Sequence, residues 1–83
     1  MIRIEILYFA AARDIVGQRS EQVDVPDAIQ DIAGLAQWLS ARYPLLEPYW
    51  ACIRFAQNEQ FVSLEARLRQ NDIIAVIPPV AGG

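Results

Sequence analysis

The residues best placed to do chemistry are the last two, Gly82 and Gly83, with the carboxylate that ends the chain. Neither has a side chain, so a narrow channel can admit the pair and set the terminal carboxylate at a reactive centre. The stretch behind them suits that task. An apolar run, Ile73 to Ile77, reads as a buried strand, and Pro78-Pro79 stops it because neither proline can donate to a sheet ladder. The prolines bias the start of the arm towards polyproline II, and at about 3.1 Å per residue the five residues from Pro79 reach roughly 15 Å from the body. A frayed terminus is the plain alternative for any Gly-Gly end. A polar frayed tail, however, has no need of two prolines and an apolar Val80-Ala81.

Elsewhere the chain is poor in catalytic groups. It has no His, and its seven basic residues are all Arg, which leaves no general base of the usual kind and no lysine nucleophile. Cys52 is the single cysteine, so no disulfide framework and no cysteine metal cluster is expected; its neighbours suggest a small buried hydrophobe. Asp and Glu are scattered without a paired motif. A self-contained active site is therefore not expected, nor is a bound metal or cofactor. The net charge of -3 and a sequence pI near 4.7 argue against nucleic acid as a partner. No apolar run approaches the ~20 residues of a membrane span, and Met1 leads directly into a strand pattern, so a cytoplasmic protein with no membrane partner is expected.

Eighty-three residues, 54% of them hydrophobic, make one domain with a single core. Met1 to Tyr8 alternates, with Ile2, Ile4, Ile6 and Tyr8 on one face and Arg3 and Glu5 on the other, and predicts a first strand. Phe9 to Gly17 predicts a short helical turn, alanine-rich and closed by glycine. Ser20 to Val25 alternates again, with Val23 and Val25 inward, and pairs antiparallel with the first strand. The main helix carries an apolar face of Ile32, Leu35, Ala36, Leu39 and Tyr43. It starts either at Asp31 as N-cap, which leaves Gly34 in the first turn, or at Asp27 with Gln30; Pro44 ends it.

Leu45 to Ala51 is expected as a loop whose Tyr49 and Trp50 close the bottom of the sheet, or else form a partner-binding edge. Cys52 to Ala56 and Gln60 to Val62 predict a hairpin around Asn58-Glu59. Leu64 to Leu68 is expected as a connector with one helical turn, its two leucines plugging the core. Asn71-Asp72 makes the turn into the last strand, Asn tolerating the left-handed conformation. These elements imply an α+β fold, a β-grasp: a mixed sheet of about five strands around one helix, with first and last strands parallel at its centre. Residues 1–77 form the domain and 78–83 a protruding tail.

With these elements in order, the chain resembles the molybdopterin synthase small-subunit family of ubiquitin-like sulfur carriers over nearly its whole length. The likeness is carried by Phe9-Ala10 followed by Arg13-Asp14, by the Asn58-Glu59 hairpin, and above all by Ile77-Pro78-Pro79-Val80-Ala81-Gly82-Gly83. A terminal Gly-Gly is common to many ubiquitin-like proteins; the Pro-Pro-Val-Ala-Gly-Gly ending on this order of elements is specific. The chain departs from the family pattern at Asn71-Asp72, where Gly-Asp is commoner, and in extra length at Asp27 to Gln30.

The resemblance implies that a ubiquitin-activating-like adenylyltransferase uses ATP to adenylate Gly83, and that sulfur from a donor enzyme then displaces AMP to leave a thiocarboxylate. The tail would enter the molybdopterin synthase large subunit and give its sulfur to cyclic pyranopterin monophosphate, within a heterotetramer of two small and two large subunits. On this reading Gly83 bears the sulfur, Gly82 lets the tail pass, and Pro79 and Val80, with Ala81, set the depth of insertion. Phe9, Phe61 and Arg13 are the candidates for the docking face, the alternatives being strand-end core residues and, for Arg13, a surface ion pair. A thiazole-type sulfur carrier, a ubiquitin-like protein modifier and a passive binding module with an incidental Gly-Gly end are the competing readings.

Overall fold

In a computed structural model of the chain, which describes residues 1–79, the alternating pattern at the start forms β1 (Ile2–Tyr8), with Ile4, Ile6 and Tyr8 buried. The chain continues as α1 (Ala10–Val16), β2 (Ser20–Val25), α2 (Ile32–Arg42), a 3-10 helix (Pro44–Tyr49), β3 (Arg54–Gln57), β4 (Gln60–Val62) and β5 (Ile73–Ile77). The five strands form one mixed sheet in the order β2-β1-β5-β3-β4. β1 and β5 lie parallel at the centre, with Leu7 opposite Ala75 and Tyr8 opposite Val76. β2 and β1 are antiparallel, as are β3 and β5 and the β3–β4 hairpin. This is the β-grasp.

Local chemistry accounts for the elements. Gly17 caps α1 at φ 84°, the left-handed conformation that glycine adopts without a Cβ clash. Asp31 caps α2, its carboxylate accepting from the Gly34 backbone N–H at 2.8 Å. A Cβ at Gly34 would sit 3.2 Å from Asp31 Oδ1 and 3.3 Å from Ile29 Cγ2, so the cap itself makes glycine useful there. The hairpin turn places Asn58 and Glu59 at φ 51° and 72°, the paired left-handed residues of a tight turn that matches strand twist. Asn71 sits at φ 69°, a left-handed conformation that Asn tolerates better than most other non-glycine residues.

The core lies between α2 and the inner face of the sheet. Ile32, Leu35 and Leu39 of α2 are fully buried, facing Ile4, Ile6, Val25, Phe55, Ile74 and Val76. Leu46 of the 3-10 helix is also fully buried, and Trp50 stacks on Phe55 with ring centroids 5.8 Å apart while its indole N–H donates to the Ser40 hydroxyl. Trp50 thus closes one end of the core; Tyr49 is 39% exposed and does not.

Three expectations are corrected. Cys52 is exposed, because the turn after the 3-10 helix runs through it and β3 begins only at Arg54. Leu64 is 51% exposed, since residues 63–66 form a turn rather than a helical plug; Leu68 alone packs on the core. Leu45 to Ala51 is mostly 3-10 helix rather than loop, started by Pro44 with its preset φ.

A half-buried carboxylate ties β1, β2 and α2 together. Glu21 accepts from the Tyr8 hydroxyl at 2.6 Å and the Tyr43 hydroxyl at 2.7 Å, and pairs with Arg42 at 3.3 Å. Burial, with the hydrogen bond to Glu21, pushes the Tyr8 phenol far above its ordinary value near 10. A phenol whose folded pKa is raised contributes stability that is complete below the unfolded pKa of about 10 and is lost as pH climbs beyond it. Chemical unfolding as a function of pH is therefore expected to lose stability above about pH 10, and Tyr8→Phe to flatten that alkaline limb. An unchanged limb in Tyr8→Phe would assign the loss to other groups.

Candidate functional site

The outer face of the sheet, opposite α2, holds the candidate site. One register row crosses four strands there: Leu7 of β1 faces Ala75 of β5, Ala75 faces Ala56 of β3, and Ala56 faces Phe61 of β4. Two large side chains therefore flank two small ones, which makes a groove. Ala56 and Ala75 form its floor, and Phe9, Ile73 and Ile77 complete an apolar concavity of about 270 Å³ in which Glu59 is the one charged residue. Phe61 is 66% exposed, and the Arg54 guanidinium lies 5.7 Å from its ring centroid.

The groove runs along β5, with Ile73 at one end and Ile77 at the other. Beyond Ile77 the chain leaves the sheet: Pro78 is buried and Pro79 exposed. The Phe9 backbone N–H donates to the Val76 carbonyl at 3.2 Å, so the turn after β1 holds the end of β5 in place. Making that turn forces Ala10 to φ 48°, a conformation in which a longer or branched side chain would be more strained than alanine.

The other end of β5 is fixed by Asp72, which is buried. Its carboxylate accepts from Gln57 Nε2 at 2.7 Å, Asn58 Nδ2 at 2.9 Å and the Arg69 backbone N–H at 2.7 Å. Asn58 in turn accepts from the Ile73 N–H at 2.9 Å and donates its own N–H to the Ile73 carbonyl at 2.8 Å. The hairpin turn therefore grips the first residue of the tail-bearing strand.

Of the sequence-predicted site residues, Phe9 and Phe61 meet in this groove, Pro79 stands at its tail end, and Arg13 lies exposed on α1 outside the lining. Val80, Ala81, Gly82 and Gly83 lie outside the described residues. Leu7, Ala56, Ala75 and Ile77 were missed as groove residues. Their signal was present in β5, where Ile73-Ile-Ala-Val-Ile77 is apolar on both faces although only one can face α2.

The chain matches the ThiS family over residues 6–83. It belongs to that family. It is 39% identical over 88 residues to the molybdopterin synthase sulfur carrier subunit of Homo sapiens, a match covering 100% of this chain and 97% of the relative. The fold is shared with small archaeal modifier protein 1 from Haloferax volcanii, at TM-score 0.83 and 26% identity over 98% of this chain and 99% of that one. It is shared too with a chain in the complex of subunits 1 and 2 of molybdopterin-converting factor from Helicobacter pylori, at TM-score 0.69 and 19% identity over 99% of this chain and 100% of that one. These proteins, too, are built on the ubiquitin-like β-grasp.

Because Asp72 is the acceptor shared by both sides of the turn, Asp72→Ala is expected to lower the unfolding free energy by about 2 kcal/mol, the cost of leaving buried donors unpaired. Urea unfolding measures it, and a loss under about 0.5 kcal/mol would show that β5 is fixed by its neighbours alone.

Proposed function

We propose that this protein is the sulfur carrier subunit of a molybdopterin synthase, with Gly83 as the residue that bears the sulfur. The observation that carries the reading is continuity: the strand whose outer face floors the exposed apolar groove is the strand from which the Pro-Pro-Val-Ala-Gly-Gly tail departs. A partner that covers the groove takes up the tail in a fixed direction. Full-length similarity to the human sulfur carrier subunit supports the same reading.

An α-carboxyl has an unperturbed pKa near 3.5 and is an anion, hence a poor electrophile, at neutral pH. Activation comes from a ubiquitin-activating-like adenylyltransferase. The Gly83 carboxylate attacks the α-phosphorus of ATP, pyrophosphate leaves, and the acyl adenylate forms. The terminal sulfur of a donor enzyme's persulfide attacks the acyl carbon and displaces AMP. A second thiol then cleaves the S–S bond of the resulting acyl disulfide, which releases the thiocarboxylate and leaves the donor cysteine in a disulfide. The large subunit of the synthase supplies the acid-base groups that this chain lacks, passes the sulfur to cyclic pyranopterin monophosphate and regenerates the carboxylate; two deliveries build one dithiolene. Gly82 passes the narrow part of the partner's channel, and Pro79, Val80 and Ala81 set the depth. Two such tails in a large-subunit dimer make the heterotetramer, and the cytoplasm is its place of action. No helix of the described residues is long and apolar enough to cross a membrane.

A protein modifier is the second reading, favoured by the shared fold with small archaeal modifier protein 1. With no lysine, the chain cannot build lysine-linked chains on itself.

Intact mass after incubation with ATP, the activating enzyme and a sulfur donor separates the two. Replacement of one oxygen by sulfur at Gly83, followed by transfer to the pterin in the presence of the large subunit, is the expected result. Gly83 found in amide linkage to target lysines would select the modifier. Gly82→Val is expected to abolish sulfur transfer with the melting temperature unchanged, since Gly82 comes five residues after the last residue of β5 in the sequence. Ala56→Glu, which fills the groove floor with a charge, is expected to weaken large-subunit binding at least about tenfold, while Ala56→Ser does not. Equal binding by both variants would remove the groove from the interface.

A further inference from the structure

We propose that a second site, at the opposite end of β5 from the tail, binds a phosphate group. The sulfur-transfer reading is not needed for it. Arg67 and Arg69 line a concavity of about 350 Å³ together with Gln57, Asn58, Gln60 and Asp72.

The placement follows from the backbone. Arg67 forms an isolated antiparallel β-bridge with Asp31. The segment is held from both sides: the Leu68 N–H donates to the Gln30 carbonyl at 2.9 Å, Gln57 Nε2 donates to the Arg67 carbonyl at 2.8 Å, and the Arg69 N–H donates to Asp72 at 2.7 Å. Leu68 packs on the core, and Arg67 and Arg69 on either side of it are exposed and line the same concavity.

Two guanidinium groups lining one concavity repel each other unless an anion lies between them. Among the described residues neither has a carboxylate within ion-pair distance through its side chain. Asp72, the one acidic residue of the lining, already accepts three N–H groups and is buried, so it is occupied by the hairpin lock. In a chain of net charge -3 this is a local surplus of positive charge with amide groups beside it. Guanidinium forks match phosphate oxygens two at a time, and Asn58 and Gln60 stand where further hydrogen bonds can form. The concavity is open to water and suits a terminal phosphate rather than an enclosed cofactor.

The test is an amide NMR titration of the isotope-labelled protein with inorganic phosphate and, separately, with ADP, at ionic strength held constant with chloride. Saturable shifts confined to Gln57, Asn58, Gln60, Arg67 and Arg69 are expected. Equal affinities for both probes mean recognition of the phosphate alone; tighter ADP binding means a nucleotide source. Arg67→Gln/Arg69→Gln, two exposed substitutions, is expected to weaken binding about tenfold with the melting temperature unchanged, and Arg67→Lys/Arg69→Lys to fall between. Shifts that fail to saturate, spread over the chain, or persist in the Gln variant would overturn the proposal.

Discussion

Everything in this molecule hangs on the parallel pairing of β1 with β5 at the centre of the sheet. The two strands come from opposite ends of the chain, so their register fixes the end of the chain against its beginning. β5 is also paired on its other side with β3, which satisfies its backbone groups on both edges. A terminal strand bonded on both edges cannot fray as a terminal strand at a sheet edge can. The tail therefore starts from a fixed point, and the Phe9 N–H bonded to the Val76 carbonyl marks where that point is.

The same pairing divides the work between the two faces of the sheet. Inward, the row Tyr8, Val76, Phe55 and Val62 is large and packs towards α2. Outward, the next row, Leu7, Ala75, Ala56 and Phe61, dips at its centre. Alanine there is the residue that keeps the strand apolar without filling the groove. An uncovered apolar concavity is unfavourable in water at roughly 25 cal/mol per Å² of surface left exposed, so its retention beside the tail has a physical motive in burial by a partner.

The sequence was most readable where a local rule operates. Period-2 alternation gave β1 and β2 with their inward residues, Asp31 gave the helix cap, and Asn58, Glu59 and Asn71 marked turns that need left-handed backbone. It was least readable where apolar residues lie outside periodic segments. Leu64 and Cys52 looked like core because hydrophobicity was the only signal available, and the backbone turns that expose them depend on contacts distant in sequence. The groove escaped for a related reason. Ile73, Ala75 and Ile77 read as interior because a strand apolar on both faces usually is, and only the sheet order shows that the second face has no helix over it. Phe9 and Phe61, drawn from the resemblance, line one groove, whereas Arg13, drawn from the same source, stands apart from them.

Composition and geometry meet in the chemistry proposed for the tail. In that chemistry an acyl adenylate or thiocarboxylate at Gly83 is tethered to the chain's own body, and tethering raises the effective concentration of any nucleophile it meets there. Lysine side chains there would compete with the intended acceptor. This chain has none: every basic side chain is an arginine, whose guanidinium stays protonated and is not nucleophilic. The α-amino group is paired with Asp27. Arginine also keeps positive charge available at the exposed Arg54, Arg67 and Arg69 without adding an amine that the activated terminus could acylate. The absence of lysine thus leaves the chain's own side chains without an amine to acylate, so that in the proposed chemistry the acceptor is chosen by whatever protein takes up the tail.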